Sequence, residues 1–420
     1  MLKITRGMKK MMKLLSLVLA VVMLLGCLTA CGDKASDTTP SPDSSADTAA
    51  DNTADTSSDA SSEGGEITIA FIGNTTGDYA QYGIPVRNAV MLYFDQLNAA
   101  GGINGKTVKV LEYDDKGDGV EAVNSYNLAK ENGITAVVGS VLTGTTIALA
   151  DATYEDNMPQ ITASATATGV TIMEDTGEVR TNVFRACFID PFQGSVAAAY
   201  CDQQGYKTAC IMFNNADAYA VGLKDAFVEN FKGEVLAIEE YSGSDVKDYN
   251  VQLTKLAAQN PDVLLLPNLN VELGLQIQQA RTAGLNCPII CGDSADTPDV
   301  ANVAGPAIEG VAYVSAFSAE STDEAAKNFV DAYVKLYPDE LPNSNAELTY
   351  ETAKMVVWAI QNAKTLDRDG VRDALDTIDG LELPSGKMTM DPTTRNPIKG
   401  GVIMQYDAEG VTHYVSSVNP

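Results

Sequence analysis

Hydroxyl side chains cluster in the stretch 134–168, and their spacing is the strongest chemical signal in the chain. Ser140, Thr143, Thr145 and Thr146 follow the apolar run 134–138, and Thr162, Ser164, Thr166 and Thr168 follow a second short apolar run. The stretch reads as a buried strand, a Gly/Ser/Thr loop, an apolar helix, a second strand and a second small-residue loop. In an open α/β sheet, ligands sit beyond the carboxyl ends of the strands. A helix that begins there offers free backbone N–H groups and the positive end of its dipole, a setting for a small anion such as a carboxylate. The same spacing also suits Thr143 or Thr145 as a plain helix cap.

The flanking sequence supplies the elements that must hold these loops. Apolar runs at 67–73 and 107–113 precede the one at 134–138. Pro85 marks a first helical turn, Val86, Ala89, Val90, Tyr93 and Leu97 recur at helical spacing, and Gly101-Gly102 ends the pattern. With a further helix at 120–132, this β-α-β-α-β order predicts a parallel, doubly wound sheet.

A second α/β run starts near Pro191. Strands are predicted at 208–213, 234–241, 262–267, 288–291 and 310–315, with helices at about 192–204, 217–231, 248–260 and 271–284. Helical patterns near 323–336, 346–364 and 369–377 follow, then strands at 401–406 and 412–415. The expected fold is α/β, with two doubly wound parallel-sheet lobes joined by a hinge. Lobe I is expected to comprise 66–187 plus 316–394 and lobe II 188–315 plus 395–420. A cleft between domains is a preferred small-molecule site.

The formal net charge of −28 argues against nucleic acid as a partner. Residues 1–30 read as an export segment: Lys3, Arg6, Lys9, Lys10 and Lys13 precede the apolar run 14–25. It ends in Leu28-Thr29-Ala30-Cys31, which resembles a bacterial lipobox. The resemblance implies cleavage before Cys31 and a lipid anchor on its sulfur, tethering an exported protein to the cell membrane. A plain signal peptide ending near Ala30 is the alternative. Residues 31–65, almost all Ser, Thr, Ala, Asp, Pro and Gly, have recurrent aspartates and no apolar stripe, so a flexible acidic spacer is expected.

Other chemistries find little support. Gly105-Lys106-Thr107 imitates a P-loop, but Ala100 stands where the first glycine belongs and a strand follows instead of a helix. Asp114–Gly119 imitates a calcium loop, with Lys116 at a ligand position and Ser125 where Glu belongs. Neither a Gly-x-Ser-x-Gly elbow nor a histidine beyond His413 is present, so no enzyme is expected. Cys187, Cys201, Cys210, Cys287 and Cys291 allow at most two bridges, and buried free thiols are the reading for most of them. Neither metal nor cofactor is expected.

Several motifs in order resemble the branched-chain amino-acid-binding family, the solute receptors of ABC importers with the type I periplasmic-binding fold. They are Ala80-Gln81-Tyr82-Gly83, Asn98-Ala99-Ala100-Gly101-Gly102-Ile103-Asn104-Gly105, Tyr113-Asp114-Asp115, Thr162-Ala163-Ser164-Ala165-Thr166, Tyr219-Ala220-Val221-Gly222-Leu223 and Gln279-Ala280-Arg281-Thr282-Ala283-Gly284. The resemblance implies that the Thr143 hydroxyl binds a ligand carboxylate. It implies that the loop Ser164, Ala165, Thr166 supplies a carbonyl for the ammonium and further donors. Tyr82 and Tyr219 would be aromatic walls, and Asp293 would pair with the ammonium. Asp296 is a rival for that role. Leu269 departs from the family, where relatives carry an aromatic; either specificity is shifted or Asn268 or Asn270 makes that wall. Gly144 also replaces a hydroxyl residue.

The implied function is capture of an amino acid, branched-chain or otherwise aliphatic, by a monomer that closes on it and docks on a membrane permease. Amides, urea or aromatic acids are alternative ligands. A tethered sensor is an alternative role, disfavoured because no membrane span or signalling segment follows before Pro420.

Overall fold

Residues 65–418 are described by a computed structural model of the chain. The export segment, Cys31 and nearly all of the spacer lie outside the described residues.

The first half of the fold runs β1 (Glu66–Gly73), α1 (Ala80–Ala99), β2 (Thr107–Asp114), α2 (Gly119–Glu131), β3 (Val137–Gly139), α3 (Thr143–Glu155), β4 (Gln160–Thr162) and β5 (Val183–Arg185). The five strands form one parallel sheet in the order β2-β1-β3-β4-β5. Side chains of a strand alternate faces, and β1 uses both. Ile67, Ile69 and Phe71 pack into a core with α1, while Ala70 and Ile72 pack with Ala122 and Tyr126 of α2 and Leu149 of α3.

Next come α4 (Asp190–Gln203), β6 (Thr208–Asn214), α5 (Ala218–Asn230), β7 (Glu234–Tyr241), α6 (Asn250–Ala257), β8 (Val263–Leu266), α7 (Asn270–Thr282), β9 (Ile289–Cys291), α8 (Pro298–Ala304) and β10 (Ala312–Ser315). The chain then returns to the first sheet through α9 (Glu324–Leu336), α10 (Ser344–Asn362), α11 (Arg368–Leu375) and the hairpin β11 (Leu381–Leu383) and β12 (Gly386–Met388). Met355, Val356 and Ile360 of α10 and Leu375 of α11 join the β1–α1 core. The last strands, β13 (Gly401–Tyr406) and β14 (Thr412–Val418), complete a seven-stranded sheet ordered β14-β13-β10-β9-β8-β6-β7.

Both sheets are covered on both faces, as the doubly wound expectation requires. The second differs in being mixed, since β13 pairs antiparallel with β10 and β14 antiparallel with β13. A chain arriving from the other lobe with only a tight turn between two strands can make an antiparallel pair, whereas a parallel one would need a long crossover.

Two local differences affect the site. The α1 helix starts at Ala80, so Pro85 lies inside it and Tyr82 sits in its first turn instead of ahead of it. The strand predicted at 134–138 pairs only from Val137 to Gly139. Gly139 has φ +135°, and a Cβ there would lie 2.0 Å from the Ile72 carbonyl oxygen, so only glycine lets the chain turn beside β1 into the hydroxyl loop. The five described cysteines are all free thiols, and only Cys287 is not fully buried.

Candidate functional site

Loops at the carboxyl ends of strands from both sheets surround a cavity of about 400 Å³. Val141–Thr145 reach it after β3, Ser164 after β4, and Gly117, Asp118 and Gly119 after β2. Tyr79 and Tyr82 enter from the start of α1. From the second sheet come Asn214, Asp217 and Tyr219 after β6, Ser244 after β7, Leu269 after β8, and Asp293 and Ser294 after β9.

On the first-lobe side, the hydroxyl loop is pinned by its own side chains. Ser140 Oγ binds Asp115 and pairs with Thr145 Oγ1 at 2.8 Å, and Thr145 Oγ1 also donates to the Leu142 carbonyl at 3.0 Å. Thr162 Oγ1 donates to the Ser140 carbonyl and Ser164 Oγ to the Val141 carbonyl, both at 2.8 Å. Neither Thr143 nor Thr145 caps α3, whose N-cap is Leu142. The first acceptor of the helix, Leu142 O, is taken by Thr146 N–H at 2.9 Å. The N–H groups of Thr143, Gly144 and Thr145 therefore point past the helix end with no acceptor among the described residues. Thr145 holds the loop, and Thr143 is left facing the cavity.

The second-lobe side is organised around Ser294. Tyr219 Oη donates to Ser294 Oγ at 3.1 Å, and Ser294 Oγ donates to the Asn268 carbonyl at 2.7 Å. Asp293 is buried, and its N–H donates to Gln193 Oε1 at 2.5 Å. Burial pushes the Asp293 carboxyl up to about 7, with Tyr219 and Gln193 pulling it the other way. Burial likewise keeps the Tyr82 and Tyr219 phenols well above their ordinary range, so both are neutral. Asp217 caps α5 by accepting Tyr219 N–H at 3.2 Å, and burial pushes it up to about 6.

Tyr82 joins the two sides. Its hydroxyl donates to the Ser294 carbonyl and accepts Asn270 N–H, both at 2.8 Å. Asn270 Nδ2 also donates to the Asp78 carbonyl at 3.0 Å, and Tyr79 Oη to Glu272 at 3.4 Å. The two sides thus meet in largely buried hydrogen bonds beside the cavity.

Of the residues singled out from sequence, Tyr82, Thr143, Ser164, Tyr219 and Asp293 line one cavity. Ala165 and Thr166 lie behind it, because Arg185 draws the loop inward by donating to the carbonyls of Ala165 and Ala167, each at 2.9 Å. Asp296 is placed elsewhere: it accepts Ser344 N–H at 2.8 Å and Tyr313 Oη–H at 3.0 Å, anchoring the start of α10. The wall in question is Leu269 itself. Asn268 is occupied with Met212 and Gln276, and Asn270 with Asp78. The calcium-like carboxylates serve backbone: Asp114 accepts Thr75 N–H at 3.0 Å, and Asp118 caps α2. Among the described residues no cluster of His, Cys, Asp or Glu could hold a metal ion. Sequence reading missed Tyr79, Asp217 and Ser294; the adjacency of Ser294 to Asp293 was the only available hint.

Comparison with known proteins places this geometry. The periplasmic binding protein family matches residues 66–411. The Leu/Ile/Val-binding protein BraC3 of Rhizobium johnstonii is 30% identical over 333 residues, covering 78% of this chain and 88% of the relative. The structure of LivJ from Streptococcus pneumoniae, a branched-chain amino acid transporter substrate-binding protein in complex with isoleucine, matches with a TM-score of 0.77 and 29% identity, over 83% of this chain and 99% of that one. The leucine-binding protein LivK of Thermotoga maritima matches with a TM-score of 0.78 and 26% identity, over 84% and 99%. With this coverage and the type I periplasmic-binding fold, the chain belongs to the periplasmic binding protein family, whose members are receptors and not enzymes.

Proposed function

We propose that this protein is an extracytoplasmic receptor that captures an amino acid, branched-chain or otherwise aliphatic, and delivers it to an ABC importer. One arrangement carries the reading: a single cavity offers the unpaired N–H groups of α3 and the Thr143 hydroxyl on one side and the Asp293 carboxylate on the other. That pattern complements a zwitterion. The carboxylate takes up charge-assisted bonds at the helix end, and the ammonium pairs with Asp293 and the Ser164 carbonyl. Val141, Leu142, Leu269 and the faces of Tyr79 and Tyr82 are the apolar walls for a side chain.

Ligand held by the first lobe meets Asp293 and Tyr219 only when the second lobe arrives. It therefore binds the closed state more tightly and shifts the population toward it. The closed form is the one offered to the permease. A lipid on Cys31 would keep the receptor at the cell membrane through the acidic spacer.

Thermal unfolding of residues 66–420, after a cycle of denaturation and refolding to remove carried-over ligand, tests this. A ligand at a hundredfold excess over its Kd adds about 2.7 kcal/mol. A shift with leucine, isoleucine or valine supports the reading. A shift only with amides, urea or aromatic acids keeps the receptor and removes the ligand assignment. Binding without any effect on uptake in cells would point to a sensor.

A further inference from the structure

Most polar groups on the cavity wall already have partners within the protein. Thr145, Ser164 and Ser294 donate to backbone carbonyls, and Asn214 Oδ1 accepts the N–H groups of Ala216 and Gly243, both at 3.1 Å. Asp118 and Asp217 cap α2 and α5. Asn345 differs. It lines the same cavity and is only 6% exposed, yet its carboxamide makes no hydrogen bond among the described residues.

Helix α10 gives this side chain a fixed place. Asn343 caps the helix: its Oδ1 accepts Ala346 N–H at 3.0 Å, and its Nδ2 donates to the Asp296 carbonyl at 2.9 Å. The Asp296 carboxylate accepts Ser344 N–H at 2.8 Å, and Thr349 Oγ1 donates to the Asn345 carbonyl at 2.6 Å. Leu348, almost one turn on, packs with Ala163 and Cys187. Capping, the usual task of an asparagine at a helix start, is thus done two residues earlier. The backbone on both sides of Asn345 is held, and its amide faces the cavity.

A carboxamide so placed discriminates between ligands. It offers two N–H donors and an acceptor oxygen, and in an open site solvent serves them. Closure on a hydrocarbon side chain removes that solvent and puts nothing in its place, which is costly for a buried polar group. A side chain that can hydrogen-bond replaces it. On the amino-acid reading the two charged ends of the ligand have their partners elsewhere, the carboxylate at α3 and Thr143, the ammonium at Asp293, Tyr219 and the Ser164 carbonyl. The side chain is what remains to meet Asn345. Neither lysine nor arginine lines the cavity among the described residues, so an acidic side chain would find no counter-charge there.

We propose that Asn345 is a specificity-determining residue whose carboxamide hydrogen-bonds a hydroxyl or carboxamide on the ligand side chain, so that the receptor favours threonine, asparagine or glutamine over hydrocarbon side chains of the same shape. The inference rests on the amino-acid reading above and narrows its aliphatic side chain to one that carries such a group. Val141, Leu142 and Leu269 then pack the methyl or methylene part.

Calorimetry on the purified receptor, freed of carried-over ligand, compares two pairs of similar shape: threonine with valine, and asparagine with leucine. The polar member of at least one pair should bind about tenfold tighter. Asn345→Leu, which keeps the volume and removes the amide, should erase that preference by weakening the polar member while its hydrocarbon counterpart holds or gains. Equal or tighter binding of valine and leucine by the wild type overturns the inference and leaves the amino-acid reading standing. A polar preference that survives Asn345→Leu in full overturns the role of Asn345. Binding confined to ligands without an amine, or to none of the amino acids, overturns the amino-acid reading as well. If Asn345→Leu does not fold, Asn345→Ala decides by the same ratio: its collapse supports the assignment, and its persistence overturns it.

Discussion

The two halves of the cavity are built from opposite materials. The first-lobe half is backbone: N–H groups at the start of α3, held by a loop whose hydroxyls bond one another and nearby carbonyls. The acid that lines this half, Asp118, commits its carboxylate to the N-cap of α2. The second-lobe half relies on a buried carboxyl whose ionisation is held near neutrality by its surroundings. One half is preorganised around backbone donors; the other gains its full attraction only when a cation arrives. On the proposed reading, a receptor that loads in the first half and closes with the second places its chemical selectivity in the closing step.

The largest test of this asymmetry is Asp293→Ala. Removing one partner of a buried charge pair costs about 3 kcal/mol, so affinity for an amino acid should fall roughly 150-fold. The matching deaminated acid should be far less affected. Equal losses for both ligands, measured by calorimetry, would show that the carboxyl does not read the amine.

Thr143→Val probes the other half. A hydrogen bond to a charged group contributes about 1.5–3 kcal/mol, which predicts a loss of roughly 10- to 150-fold that is shared by amino acid and deaminated acid alike. The loss should be the same at pH 6 and pH 8. A pH-dependent loss would remove the distinction between the halves.

How far the sequence reveals this site follows from the range of each interaction. Thr143 and Ser164 are legible because hydroxyls after a strand end are a local pattern, whereas Asp293, just beyond β9, was singled out only through the family resemblance. The β-α alternation revealed the first sheet, but β5, three residues ending in the buried Arg185, is too short to show a period. The helix α8 was missed for its length, and the β11–β12 hairpin for lack of alternation. Tyr82 is expected from the resemblance as an aromatic wall, yet its bonds to Asn270 and Ser294, 188 and 212 residues away, exist only through the meeting of the lobes.

Tyr82→Phe addresses the meeting itself. It keeps the aromatic wall but leaves the Asn270 N–H and the Ser294 carbonyl without their bonds in the closed state, at about 1–3 kcal/mol. Affinity should fall by roughly tenfold for ligands of either kind. X-ray scattering should show a larger radius at subsaturating ligand. Weakened binding with an unchanged radius would place Tyr82 in ligand contact alone and not in closure.

The smallest effect is on stability, and it separates the halves without any ligand. A carboxyl whose folded pKa is raised binds its proton more tightly in the folded state, so its contribution is fully present below the unfolded value near 4 and is lost as pH rises through the folded value of about 7. Between pH 5 and pH 6, Asp293 should lower the stability of the empty receptor by about 1.4 kcal/mol, a few degrees in Tm. Burial raises Asp217 to about 6, so it adds to the same slope in the lower part of that window. His413, raised by Asp407 and then Glu320, acts above its ordinary 6.5 and stays out of it. Asp293→Asn should flatten the slope by its own share, and a saturating amino acid should do the same by ionising the group in place. Thr143→Val should leave the slope untouched, because the Thr143 side chain does not titrate. A slope that survives Asp293→Asn in full would move the proton to other buried carboxyls raised by their surroundings, Asp217 among them, and away from the proposed ammonium subsite.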